Sequence, residues 1–554
     1  DTPWELDPHL PELRILEVRP DVNPSHAMPE SLSVHFDHFK YRLSLDDPRR
    51  LLFSLNGILS RFDPDVILTS YGDTWLFSYL EEASKRTGIP FNPNRDFGKS
   101  IQRKKEISFV NYGRAHHRSE QVHLFGRWHI DAQNCMTFGE YGLTGAIEQA
   151  RVTGLPVQEI SRRSPGAGIA AMQTLTALKR GILVPYQQQK GEISKSYNEL
   201  VVSDRGGLVF EPLPGIFSNV AVIDFMSMYP SIIIEYNISP ETVGVKEKDA
   251  FDIPEMGIQI SSREGLVPAT LRPMVEKRIK IKRLLQKMNP SDSRYLRYRA
   301  YKSALKWLCV VAYGRPGFAN STFGRINSHE VVSYIGRKVL LKAKEVAEDH
   351  GFTVLHAYVD SLFICRPDAV KEEDFQSVLK EIEQETELPI ELEEVYPWMA
   401  FVSSRQNPNI MVANRFFGLK SNGEYKIRGL VSRREDTPLF VAEAQLQVLQ
   451  ILATEQDPSR LADLFPQILT ILKKKVSTLN DQKVPLKKLL VTQTLSRELN
   501  EYRVPSPAAR AAGQLQAIGR SVRMGRKIQF VYTRTKLGVH AWDLPTLPDP
   551  RADY

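Results

Sequence analysis

The chain's architecture turns on Val220-Ala221-Val222-Ile223-Asp224-Phe225-Met226-Ser227-Met228-Tyr229-Pro230-Ser231. Val220 to Phe225 is apolar except for Asp224 and reads as a buried strand, which the Pro-containing turn behind it brings to an end. An acid that ends an apolar strand can bind a hard cation through oxygen if other acids stand beside it. Taken alone, such an Asp more often caps the helix that follows. A partner is present, however. Thr353-Val354-Leu355-His356-Ala357-Tyr358 reads as another strand and runs into Val359-Asp360-Ser361-Leu362-Phe363, with Asp360 again at an apolar strand end. Two such acids on neighbouring strands can hold two Mg²⁺ ions, which would activate an attacking hydroxyl and stabilise a leaving pyrophosphate.

Between these strands the chain is helical and basic. Leu266 to Ala312 reads as two helices with a turn near Asn289-Pro290-Ser291-Asp292. Arg278 and Lys282 lie four apart, on one helix face, and Lys306 leads the second helix toward Tyr313-Gly314. Cations aimed at one place suit a triphosphate, although a charge run is more commonly a solvated face. A long helix is predicted over His329 to His350, ended by Gly351. Gly207-Leu208-Val209-Phe210 reads as a strand. Upstream, residues 10–165 mix strand-like runs (Asp65–Thr69, Trp128–Asp131) with a helical one (Trp75–Arg86), an α/β pattern. The turn formers of Arg162 to Gly168 mark a candidate boundary, with a helix from about Ile169 to Arg180. From Pro438 the chain reads mainly helical, and Lys527 to Tyr532 is its last strand-like run.

The 554 residues are 42% hydrophobic and 25% charged, which excludes a disordered chain, a collagen-like fibre and a disulfide scaffold and predicts about three to five domains. No apolar run reaches membrane-spanning length, and the start of the chain has no signal-peptide pattern. The chain does not begin with Met, so an upstream segment is expected. Cys135, Cys309 and Cys365 are too few and too scattered for a four-cysteine metal site and read as reduced thiols. A net charge of +8 favours a polyanionic partner such as nucleic acid.

Taken together, the motifs resemble family B DNA polymerases. Asp224 to Ser231, followed by Asn237-Ile238-Ser239-Pro240, resembles motif A, D-x-x-S-L-Y-P-S. Lys306 to Gly314 resembles motif B, K-x-x-x-N-S-x-Y-G, and His356 to Ser361 resembles motif C, Y-G-D-T-D-S. Lys426-Ile427-Arg428-Gly429 and Arg433 to Pro438 resemble the palm-to-thumb signature, and Glu501 to Gly525 resembles the end of the thumb. The resemblance implies a multidomain α/β and α+β fold: a right hand of palm, fingers and thumb behind a ribonuclease H-like, exonuclease-type domain. The implied segments are 1–165 (degenerate exonuclease-like domain), 166–265 (linker and first part of the palm), 266–320 (fingers), 321–436 (second part of the palm) and 437–554 (thumb). It also implies template-directed addition of dNTPs to a primer 3′ end. Asp224, Phe225 and Asp360 would hold two Mg²⁺ ions, with Mn²⁺ a candidate substitute, and Asp224 and Asp360 would be the catalytic pair. Ser227, Met228, Tyr229, Arg278, Lys282, Lys306, Val310 and Tyr313 would face the nucleotide. Gly314, Arg415, Lys426, Arg428, Gly429, Arg433, Arg434, Arg520 and Arg526 would face primer–template DNA.

The chain departs from the pattern at several places. Motif C's first Asp is Tyr358, motif B's Asn is Val310, and the lysine-tyrosine motif that grips primer–template becomes Ala413-Asn414-Arg415-Phe416. In the exonuclease motifs, Glu17 and Arg19 stand where F-D-I-E has its acids, Leu76 replaces the Asp of the second motif, and the third motif is absent. A cation in place of a ligand carboxylate repels Mg²⁺, so no proofreading is expected; a rebuilt metal site from Glu17, Asp73 and Asp131 is the alternative. These changes resemble the divergent archaeal and bacterial subgroup of the family and suggest repair or lesion bypass. The family's usual N-terminal domain, with its reader of template uracil, is largely missing. The expected partners are primer–template DNA, dNTPs and a candidate sliding clamp, for a monomer in the cytoplasm at the nucleoid. The rival reading is an inactive, polymerase-like DNA-binding scaffold or subunit.

Overall fold

The computed structural model describes residues 2–546 except 26, 112, 186–190, 193, 204, 405 and 521. The chain forms two compact units: residues 1–9, 140–430 and 449–465 make the first, and residues 10–139, 431–448 and 466–554 the second. The compact units part at Gly139/Glu140, whereas the turn formers of Arg162–Gly168 begin a helix with Pro165 in its first turn.

The second unit opens on a mixed sheet. Strands β1 (Ile15–Pro20), β2 (Ser31–Phe36), β3 (Phe39–Ser44), β4 (Val66–Thr69) and β5 (Trp128–Asp131) lie in the order β3-β2-β1-β4-β5. β1, β2 and β3 pair antiparallel, while β1, β4 and β5 pair parallel. Helix α1 (Pro48–Phe62) starts where the Asp47 carboxylate accepts the Arg49 and Arg50 amides. It buries Leu51, Leu52, Leu55, Ile58 and Leu59 against Leu16, Val18 and Ile67 of the sheet and Leu80 of α2 (Phe77–Thr87). The helix read from Trp75 is entered through a π-helical turn, Gly72–Leu76.

The first unit is built on a six-stranded antiparallel sheet. Its strands are β6 (Gly215–Phe225), β7 (Thr353–Tyr358), β8 (Ser361–Cys365), β9 (Ile390–Ser403), β10 (Met411–Leu419) and β11 (Tyr425–Arg428), in the order β7-β8-β6-β9-β10-β11. The apolar run of β6 has a physical reason: both of its faces are covered. Ala221 and Ile223 join the large core beneath α3 (Met228–Glu235), α4 (Leu266–Lys287), α5 (Tyr295–Ala312) and α6 (Ile326–Asp349). Val220 and Val222 pack on the other side with Leu355, Phe363, Tyr396 and Phe416. The two basic helices, α4 and α5, have the turn where the sequence places it.

Two expectations fail. Gly207–Phe210 is not a strand: only Val209 makes an isolated bridge, to Tyr358, and the Phe210 amide donates to the Ala357 carbonyl. Lys527–Tyr532 is not the last strand. It is the middle of a three-stranded sheet with Val491–Thr494 and Val539–Ala541, closed by helix Pro507–Ala517. Val539–Ala541 is too short for an alternation to stand out.

Candidate active site

β6 and β8 pair with Asp224 opposite Ser361, so Asp360 lies beside Asp224 at the strand ends. The Phe225 amide donates to the Asp360 carbonyl at 2.9 Å and fixes the two strand ends together. Between β7 and β8 the chain turns through Val359 at φ +60°, a strained conformation for a β-branched residue. The Val359 amide is held by the Leu208 carbonyl at 2.9 Å. The strained turn is thus pinned from outside, and it aims Asp360 toward Asp224.

The electrostatics follow from this proximity. Burial, then the Asp360 carboxylate, pushes Asp224 up to about 7; Lys282 and Lys426 pull the other way, and Glu393 adds to the rise. Burial also raises Asp360, against its own backbone amide and the cations Arg428, Lys306 and Lys426. Two buried carboxylates that resist ionising side by side form a donor set suited to a hard divalent cation, which would relieve both. Among the described residues no group of three or more His, Cys, Asp or Glu is placed to hold a metal.

The sequence reading missed two acids here. Glu391 of β9 stands opposite Asp224 in the strand register, and its side chain pairs with Lys282 and accepts from Gln286 at 3.1 Å. Glu393, two residues on, pairs with Lys426. The alternation Ile390-Glu391-Leu392-Glu393 announces an acidic strand face, but nothing local says that this face turns toward Asp224.

The predicted nucleotide-facing residues gather around the pair. Arg278 donates to the Ser227 hydroxyl, and Ser227 itself sits at φ +56° in the motif turn. Burial lowers Lys282 to about 8, with Arg278 and Lys302 acting in the same direction. Lys306 and Val310 are exposed on α5, one turn apart. Tyr229 stacks on Tyr313 with centroids 4.1 Å apart and planes at 15°, and Tyr313 in turn meets His329 at 4.5 Å. The Tyr313 hydroxyl bonds Ser333 at 2.7 Å. Gly207 and Gly336 are needed here, since a Cβ at either would come within 2.9 Å of Tyr229. Met228 and Phe225 are core side chains, 2% and 1% exposed, so only their main chains can face a ligand. Gly314 follows Tyr313 at the end of α5.

The predicted DNA-facing residues are divided between the two units. Arg428 lies over the Tyr358 ring at 5.9 Å, beside the carboxylate pair. Arg415 donates to the Ser403 carbonyl at 3.4 Å, and Gly429 turns at φ +64° against the Asn414 backbone. In the second unit, Arg434 makes a bidentate pair with Asp436, and Arg433 is exposed. Arg520 donates to the Ser25 carbonyl, and Arg526 to the His117 ring.

Glu17 pairs with Arg19 at 2.7 Å, and Leu76 is core at 2% exposure. Asp131 accepts the amides of Tyr71, Asp73 and Gln133. Asp73 accepts the Val122 amide and the Asn134 side chain. These carboxylates hold a loop together, and among the described residues no group of three or more acids that includes them is placed to hold a metal.

Residues 171–548 match the model for DNA polymerase family B. The chain is 24% identical to a DNA polymerase of Archaeoglobus fulgidus, over 98% of this chain and 72% of that protein. It is 30% identical to DNA polymerase 2 of Saccharolobus solfataricus, over 58% of this chain and 48% of that one. Its fold is similar to that of the family B DNA polymerase from Pyrobaculum calidifontis, with a TM-score of 0.68, 23% identity, and 97% of this chain and 75% of that chain covered.

Proposed function

This chain belongs to DNA polymerase family B, and from that premise we propose that it adds dNTPs to a primer 3′ end under the direction of a template, by two-metal nucleotidyl transfer and without proofreading. The observation that carries this reading is the pairing of Asp224 with Asp360 beneath cations from two helices. Asp224, Asp360 and the Phe225 main-chain carbonyl would hold Mg²⁺, with Mn²⁺ in substitution. The ions, when bound, activate the primer hydroxyl and neutralise the leaving pyrophosphate. The remaining work is positioning and charge compensation. Arg278, Lys282 and Lys306 would take the triphosphate. The Tyr229 ring, buttressed by Tyr313, would lie under the sugar, where a 2′-hydroxyl has no room.

Two changes support a role in repair or lesion bypass rather than bulk synthesis. Val310 offers the nucleotide no polar contact, and Tyr358 removes one carboxylate from motif C. Both loosen selection of the incoming nucleotide. The absence of proofreading rests on Arg19 and Leu76 and on the occupied oxygens of Asp73 and Asp131.

Primer extension with Mg²⁺ and four dNTPs tests the reading, comparing the chain with Asp224→Ala and Asp360→Ala. Each variant should lose extension by about three orders of magnitude or more while still binding primer–template. Equal extension by all three proteins would refute it. Binding without extension by the intact chain would instead favour a scaffold.

A further inference from the structure

The cation row contains a member that the motifs do not name. Lys302 stands one turn before Lys306 on α5, so Lys302, Lys306, Val310 and Tyr313 fall at i, i+4, i+8 and i+11 along one face. Helix α4 packs against α5, with the Lys277 ammonium 5.6 Å from the Tyr301 ring, and Arg278 and Lys282 lie near enough to Lys302 for their charges to act on one another. Four cations, two from each helix, therefore converge.

Two observations point to an anionic ligand. Lys302 is half-buried, and every charged group acting on it is a cation: Arg278, Arg299 and Lys306, which together with burial push its ammonium below the ordinary lysine range. Arg278 is only 9% exposed, its Nε lacks a hydrogen-bond partner among the described residues, and its guanidinium donates to the neutral Ser227 hydroxyl. Burying like charges together costs free energy unless a ligand repays it. Lys282 has Glu391 as a counter-ion, but among the described residues no carboxylate acts on Lys302.

Resting on the polymerase reading, we propose that Lys302 is a fourth phosphate-binding residue: a positioning cation for the incoming triphosphate that supplies, from two turns before Val310, a polar hold that the valine lacks. It grips phosphate and ignores the base. A site held this way secures the nucleotide without checking its pairing edge, as suits a polymerase that accepts distorted templates.

The test uses Lys302→Gln and Lys302→Arg in the full chain, with primer–template ended by a dideoxynucleotide so that binding is read without chemistry. Affinity for the next templated dNTP should fall roughly tenfold or more in Lys302→Gln and recover in Lys302→Arg. Affinity for the matching dNMP should barely change. The ligand-free melting temperature of Lys302→Gln should rise, because a frustrated charge is removed, and inorganic tripolyphosphate should raise it less than in the intact chain. Unchanged dNTP affinity, an equal loss for dNMP, or a lower ligand-free melting temperature would each overturn the proposal. If the intact chain extends primers and Lys302→Gln binds dNTP normally, this inference alone fails; if the intact chain extends nothing, the polymerase reading fails with it.

Discussion

Asp224 carries a cost that a metal would remove. Its carboxyl is raised to about 7 from 3.8, so between those values the folded chain holds a proton that the unfolded chain has released. Ligand-free stability should therefore fall as pH rises from about 4 to about 7, and the whole penalty is present above 7. Asp224→Asn removes the penalty. At pH 8 without divalent ions its unfolding free energy should exceed that of the intact chain by on the order of 2 kcal/mol, the difference vanishing near pH 4. Denaturant titrations at the two pH values check this, and a destabilised variant at pH 8 would show that the pair is relieved by something other than a cation. Asp224 and Asp360 could be singled out in the sequence because each interrupts an apolar run. Glu391, Glu393 and Lys302 were not, because only strand register and helix packing bring them to the site.

Turns position the site as much as strands do. Gly429 follows β11 at φ +64°, and a Cβ there would lie 1.9 Å from the Asn414 carbonyl oxygen. Gly429→Ala must therefore displace β10 or the chain after Arg428, at a cost of about 2 kcal/mol or more. The expected result is a lower melting temperature together with weaker primer–template binding, since Arg415 and Arg428 flank the clash; unchanged values for both would mean that the turn tolerates a side chain. The strands Val220–Phe225 and Thr353–Tyr358 and the helices over 266–312 and 329–350 were readable from apolar periodicity, whereas the strands of 31–44 and 390–419 were not. Gly207–Phe210 misled because its apolar residues pack beneath the β7–β8 turn without joining the sheet's ladder, a tertiary arrangement that no local pattern encodes.

A chain of net charge +8 that binds nucleic acid through phosphates should do so with a steep salt response. Affinity for primer–template should fall by roughly 10³-fold between 50 and 200 mM salt if six or more phosphates are engaged, and a flat response would exclude a phosphate-tracking surface. The residues proposed for that surface are divided between the two compact units, and several, such as Lys426 and Arg434, already hold acids within the protein. Sequence registers a cation but not its counter-ion. The most direct measurement is incorporation of a single dNTP by the intact chain on four primer–templates that differ only in the templating base, with Mg²⁺. The expected result is insertion that follows the templating base in each case, with no shortening of the primer when nucleotides are withheld. Insertion indifferent to the template, or primer–template bound with nothing inserted, would contradict a template-directed polymerase.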